Sequence, residues 1–211
     1  MRSLLLVGLW LAVVGGFLLL GRYDVALMRW RYGTLRVQPD GWFEQVLAGF
    51  RDFGQIVPVA AALIIVATYD RRRKRVLAAI IVAQLLTAGA YNGGKRLVAR
   101  YRPYAAIEEV ADLSSLTSGE SWIGWRPGNS EFRYQSFPSG HSASAFALAA
   151  VLAWFYPRLG WMFWTLAVGC AGSRYLDGVH WPSDCLAGAV VGWAAAWLTL
   201  RPCVGQAGGT A

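Results

Sequence analysis

Histidine is nearly missing from this 211-residue chain, which carries only His141 and His180. Cysteine is scarce too: Cys170, Cys185 and Cys203 show no metal-ligand spacing and no evident disulfide partner, so neither a zinc module nor a disulfide framework organises the fold. No Gly-x-Ser-x-Gly sequence occurs, which removes the nucleophile elbow of the serine hydrolases. Charged residues make up 15% of the chain against 56% hydrophobic, and the mean hydropathy of +0.38 is too high for an ordinary soluble fold. What remains is a single integral-membrane domain over residues 1–211. Its net charge of +8 comes from short basic clusters between apolar runs, so the lipid bilayer is the expected partner and nucleic acid is not.

The apolar runs predict an all-α bundle of six transmembrane helices, over about 4–20, 53–69, 76–91, 142–156, 159–172 and 182–200. The first run also fits a secretory signal, but no small-x-small site precedes Gly21-Arg22-Tyr23-Asp24, which favours a retained span. From there to Asp52 the chain is mixed and aromatic, with Trp30, Trp42 and Phe43, and reads as an interfacial connection with a helix lying on the membrane. Asp70-Arg71-Arg72-Arg73-Lys74-Arg75 is the densest basic cluster and is therefore placed in the cytoplasm. Arg22, Arg29, Arg31 and Arg36 oppose that assignment but are more dispersed. Both termini then face the cytoplasm of a bacterial inner membrane, and the connection 104–137, with Glu108, Glu109, Asp112, Glu120 and Glu131, lies outside. Loops of that length are uncommon unless they carry function. The Gly-rich tail after Arg201 is expected to be disordered, and the eleven tryptophans suit interfacial belts.

This topology brings three polar stretches to the outer face: Lys95 to Pro103, Pro138 to His141 and Ser173 to Asp184. Lys95 and Arg102 are about two helical turns apart, so a third helix continuing past the bilayer would present both on one face, with Pro103 as its stop. Lys95, Arg100 and Arg102 also read as cations snorkelling from a helix end. Pro138-Ser139-Gly140-His141 sits where a helix begins, so its N–H groups and the Ser139 hydroxyl suit a phosphate oxygen, and Gly140 permits close approach. A plain turn and N-cap fits the same tetrapeptide. Pro182 suits the first position of the last helix, which puts Asp184 in its first turn and within reach of His180. Such a carboxylate holds an imidazole in one tautomer and stabilises the imidazolium, and it equally serves as a helix cap. Arg174 offers a planar fork matched to phosphate oxygens. Two histidines and an aspartate suggest a metal site, but Lys95, Arg102 and Arg174 would repel a divalent cation and attract a phosphate dianion. No metal or other cofactor is expected.

Taken together, Lys95 with Arg102-Pro103, Pro138-Ser139-Gly140-His141, and Ser173-Arg174 with His180 and Asp184 fill every position of Lys-x6-Arg-Pro, Pro-Ser-Gly-His and Ser-Arg-x5-His-x3-Asp. With this tripartite signature the chain resembles the type 2 phosphatidic acid phosphatase superfamily, membrane lipid phosphatases related to the vanadium haloperoxidases. The resemblance covers most of the chain; the first fifty residues and 104–137 carry no signature. It implies a six-span enzyme that hydrolyses the terminal phosphate of a lipid phosphate or diphosphate without metal. His180 would attack phosphorus to form a phosphohistidine, Asp184 would orient and stabilise its ring, and His141 would protonate the leaving oxygen. Lys95, Arg102, Ser139, Gly140 and Arg174 would hold the phosphoryl oxygens. Undecaprenyl diphosphate, phosphatidylglycerophosphate, phosphatidate, diacylglycerol diphosphate and lipid A phosphates all suit such a site, and an outward-facing pocket favours the first or the last. The alternatives are a phosphotransferase with the same site and a lipid or anion transporter, the latter explaining the cations but not the pairing of His180 with Asp184.

Overall fold

The computed structural model describes residues 2–34, 41–110 and 115–206. Arg36, Asp112 and the end of the Gly-rich tail lie outside the described residues. The chain is mostly helical: α1 (Arg2–Thr34), α2 (Trp42–Asp52), α3 (Ile56–Tyr69), α4 (Arg73–Leu97), α5 (Pro103–Val110), α6 (Gly140–Phe155), α7 (Gly160–Leu176) and α8 (Pro182–Gln206). Of the described helices, α4 and the Pro182–Arg201 part of α8 are long and apolar enough to cross a membrane. The pair α2 and α3, bent by 55°, makes a third candidate, and α6 is a shorter apolar helix.

The bundle packs around α6, which lies against α4, α7 and α8. Hydrocarbon chains solvate apolar side chains as well as other helices do, so association in a bilayer depends on close contact between small residues. The α6 run supplies them, with Ala143, Ala145, Ala147 and Ala149 all fully buried. Opposite it, α8 presents Gly188 and Gly192, where an added Cβ would run into the carbonyl oxygens of Ser139 and Ala143. Towards the Arg71–Arg75 end, a core of Val59 and Val66 from α3, Val76 and Ile80 from α4, Leu148 and Val151 from α6, and Leu200 from α8 closes the bundle.

Besides the start of the Gly-rich tail, 202–206, which is helical where disorder is expected, three features differ from the expectations drawn from the sequence. First, α1 does not end at Gly21 but runs unbroken to Thr34. A glycine inside a helix costs only about 1 kcal/mol. Here the second half of α1 buries Asp24, Val25 and Met28, and Tyr175 Oη donates to Leu27 O at 2.7 Å. Second, α4 stops at Leu97 and passes into β1 (Val98–Arg100), so Lys95 and Arg102 do not share a helical face. Pro103 opens α5 instead of ending α4, a position where its missing N–H and fixed φ cost nothing. Third, the connection 104–137 is built: β2 (Trp122–Trp125) pairs antiparallel with β1, and a 3-10 turn follows at Phe132–Tyr134.

Candidate functional site

Three chain segments meet at the end of the bundle away from Arg71–Arg75: the exit of α4, the start of α6 and the turn from α7 into α8. Between them opens a cavity of about 640 Å³. Lys95, Arg102, Gly140, His141, Arg174 and His180 form its polar end. Its walls continue as apolar side chains, Ile56, Val59 and Leu63 of α3 and Ile81, Leu85 and Ala88 of α4. Ser139 and Asp184, the remaining candidates, are fully buried behind this lining.

The cations reach the cavity through backbone carbonyls of the connection. Lys95 Nζ and Arg102 Nη2 both donate to Gln135 O at 3.2 Å. Arg102 also donates from Nε to Phe132 O at 2.9 Å and from Nη1 to Val179 O at 3.1 Å, and its guanidinium lies 3.9 Å from the centre of the Phe132 ring. Neutral acceptors fix these side chains without cancelling their charge. Burial lowers the Arg102 pKa to about 10, which leaves it cationic at neutral pH. Arg174 is held differently, by Asp177 at 2.8 Å, while its buried Nε has no hydrogen-bond partner among the described residues. Asp177 is itself shared with Arg51 at 3.4 Å.

Gly140 opens α6, with Ser139 as the N-cap accepting from Ser142 N at 3.4 Å. The first N–H groups of α6 therefore point towards the cavity end where the cations gather, an arrangement suited to an anion. The turn that carries His141 packs on the bend between α2 and α3, where a Cβ at Gly54 would stand 2.5 Å from His141 O. In the last segment Pro182 opens α8, Asp184 falls in its first turn, and Asp184 Oδ2 accepts from Trp181 N at 3.1 Å. His180 is buried, with Nε2 facing Arg102 Nη1 at 3.5 Å and Nδ1 facing Asp184 Oδ2 at 3.8 Å. With a donor on one side and an acceptor on the other, the assigned tautomer carries its proton on Nδ1 and a lone pair on Nε2. Burial, reinforced by Arg102 and Lys95 and opposed by Asp184, pushes the His180 pKa down to about 3, so the ring is neutral at pH 7. The 3.8 Å gap exceeds hydrogen-bond length and leaves Nδ1 without a hydrogen-bond partner among the described residues.

Asp184 is nonetheless tightly held. Its Oδ1 accepts from Arg100 Nη1 and its Oδ2 from Ser136 Oγ, each at 2.5 Å. Arg100, Ser136, Gln135 and Asp177 are thus built into the site, although no signature singles them out. Only Arg100 had a signal in the sequence, as one more cation in the stretch from Lys95 to Pro103.

A family model described as the PAP2 superfamily matches residues 73–203. A curated lipid A 1-phosphatase of Rhizobium etli is 26% identical over 163 residues, 71% of this chain and 66% of that protein. The chain thus spans just under two thirds of that relative's length, and about half or less of others it matches. Among solved structures, Aquifex aeolicus LpxE superposes with a TM-score of 0.62 at 22% identity, covering 83% of this chain and 93% of that one. A transmembrane PAP2-type phosphatidylglycerolphosphate phosphatase from Bacillus subtilis gives 0.57 at 19% identity, covering 93% and 96%. Both likenesses are of fold.

Proposed function

The chain belongs to the PAP2 superfamily, and from that premise we propose that it is an integral-membrane phosphatase acting on lipid phosphates or diphosphates through a phosphohistidine. The observation that carries this reading is one cavity that joins three cations and both histidines at one end to apolar walls on α3 and α4. A phosphate can sit among the cations while its hydrocarbon tail stays against the apolar walls.

His180 Nε2, neutral and beside Arg102, attacks phosphorus in line with the bond to the leaving oxygen, forming the N–P bond as the P–O bond breaks. Burial, reinforced by Arg174, Lys95 and Arg102, lowers the His141 pKa to about 4, so His141 takes up a proton as the phosphate dianion enters and offsets those cations, and gives it to that oxygen. Lys95, Arg102, Arg174 and the first N–H groups of α6 hold the equatorial oxygens and the charge that develops there; Ser139, buried behind the lining with its hydroxyl accepting from Ser142, sets that helix start. The ring of His180 becomes cationic as the bond forms, and Asp184, with its oxygen already on the Nδ1 side, closes the remaining gap and stabilises it. Water, deprotonated by His141, then attacks phosphorus, the N–P bond breaks and inorganic phosphate leaves. No step calls on a metal.

A phosphotransferase would differ only in admitting an alcohol in place of water. A transporter would need the cations alone, and it gives no reason for a buried histidine backed by a carboxylate. Names of the relatives make lipid A phosphates and phosphatidylglycerophosphate the first substrates to test, with undecaprenyl diphosphate and phosphatidate beside them. Purified protein in detergent should release phosphate from at least one of these lipids, and His180→Ala should lose that activity by at least about a thousandfold. Near wild-type turnover in His180→Ala would sink the mechanism. We place the site on the outer side of a six-span bundle with cytoplasmic termini, because Arg71–Arg75 marks the opposite end. An impermeant thiol probe on intact cells should label a cysteine at Ser118 and spare one at Arg73; the reverse pattern inverts the orientation.

A further inference from the structure

Behind Asp184 lie two charged side chains that the proposed reaction leaves without a task. Arg100, at the end of β1, is fully buried and does not line the cavity. Its Nη1 donates to Asp184 Oδ1 at 2.5 Å, and its Nη2 donates to Asp24 Oδ2 at 2.6 Å. Asp24 comes from α1, outside the residues that match the family model, and is also fully buried. Ser183 links Arg100 and Asp24: its hydroxyl accepts from Arg100 Nη1 at 2.8 Å and donates to Asp24 Oδ2, and its N–H donates to Asp24 Oδ1 at 3.0 Å. The guanidinium lies 4.1 Å from the centre of the Trp122 ring.

An arginine bonded to Asp184 alone would orient that carboxylate and also cancel its charge, which defeats the purpose of a group meant to stabilise a cationic imidazole. A second carboxylate changes the sum. Asp24, Arg100 and Asp184 together carry one net negative charge, in a fully buried place where charges act strongly on near neighbours. The N–H groups of Trp181 and Ser183, at the positive end of α8, and the Ser136 hydroxyl help to hold that charge without neutralising it.

We propose that Asp24 and Arg100 are positioning residues for this reaction: Arg100 aims Asp184 at Nδ1 of His180, and Asp24 balances Arg100, so that the negative charge of Asp184 remains available to the ring. The proposal rests on the phosphatase reading, and it assigns a chemical task to α1 that no motif residue supplies. The competing account is mechanical, with Asp24 tying α1 to the start of α8 and nothing more.

Charge and mechanics separate in a small set of variants, assayed for phosphate release from the best lipid of the panel beside wild type and His180→Ala, which report on the phosphatase reading itself. Asp24→Asn keeps the shape and makes the trio neutral; kcat should fall at least tenfold with KM within about threefold. Asp24→Asn combined with Arg100→Met removes the pair together and returns the net charge to minus one, so kcat should recover to at least fivefold above the single variant. Wild-type kcat in Asp24→Asn, or a folded double variant no faster than the single, overturns the proposal. If Asp24→Asn does not fold, the double variant decides alone: kcat within about tenfold of wild type supports charge balance, and a folded but inactive protein overturns it. Failure of both to fold assigns the pair to mechanics and overturns it as well.

Discussion

Arg100 and Arg102 stand two residues apart at the same strand exit and end in opposite electrostatic settings. Arg100 is enclosed by two carboxylates and two serines, with no access to the cavity. Arg102 donates to three backbone carbonyls and lines the cavity. A carboxylate partner holds a cation and cancels its field, whereas a carbonyl partner holds it and leaves the field for a ligand. The difference separates an arginine turned to the carboxylates from one free to meet phosphate, although both are buried and both are hydrogen-bonded.

Exchanging each for glutamine is the strongest way to break that contrast. Arg100→Gln leaves Asp24 and Asp184 facing each other without a counter-charge, and it should cost about 3–5 kcal/mol, read as a large loss of thermal stability in detergent. Arg102→Gln leaves only carbonyls behind, so folding should survive while kcat/KM falls by about 10²–10³. An Arg100→Gln as stable as wild type, or an unfolded Arg102→Gln, would show that the carboxylates and carbonyls do not divide the two roles.

The sequence could reveal Arg102 and could not reveal the partner of Arg100, for a physical reason. Lys95, Arg102, His141, Arg174 and His180 are groups that a membrane chain rarely places beside apolar runs without use, and their spacing repeats a known signature. Asp24 lies 76 residues from Arg100. Its local setting, Gly21-Arg22-Tyr23-Asp24, reads as a polar exit from a span, and only tertiary burial against the start of α8 turns it into part of a helix. The Gln135 carbonyl that positions Lys95 and Arg102 is a backbone group, common to every residue type and so without any mark in the sequence. The connection 104–137 has charge but no periodicity, which hid both β2 and the 3-10 turn. The end of α4 was obscured because Val98 and Ala99 extend an apolar run, while the pairing of β1 with β2 decides their conformation.

The rigid side of the comparison can be sharpened without altering any charge. Gly188→Ala would drive a Cβ into Ser139 O, pushing α8 away from the start of α6. Overpacking of this kind costs about 1–3 kcal/mol and should lower phosphate release along with thermal stability. Gly21→Ala, in α1 with nothing near the added carbon, should leave both unchanged or raise stability by up to about 1 kcal/mol. Equal responses would remove the case for a tightly fitted α6 start.

Protonation offers a smaller effect. His180 titrates near 6.5 in the unfolded chain and near 3 when folded. Below pH 6.5 the unfolded chain therefore binds a proton that the folded chain does not, and stability falls as pH falls, by up to about 1.4 kcal/mol per pH unit; above 6.5 the contribution is flat. Thermal unfolding at pH 5.5 and 7.5 should show this slope in wild type and a shallower one in His180→Gln. An identical slope would mean that His180 is not held neutral by its burial and the cations around it.

Chelation should have the smallest effect of all, and it tests whether the cavity cations are truly uncancelled. A divalent ion near the histidines would meet Lys95 and Arg102, each held by carbonyls and repelling it by on the order of several kcal/mol at contact distances under a protein dielectric, whereas Arg174, paired with Asp177 at 2.8 Å, adds less. Asp184 has little left to offer such an ion, since its oxygens already accept from Arg100, Ser136 and the Trp181 N–H. The same field draws in a phosphate dianion, which brings the counter-charge with the substrate. EDTA should accordingly leave lipid phosphate release within about twofold of the untreated enzyme. Complete loss, restored by added metal, would show that some other group balances the cations before substrate arrives, and the contrast between Arg100 and Arg102 would then lose its meaning.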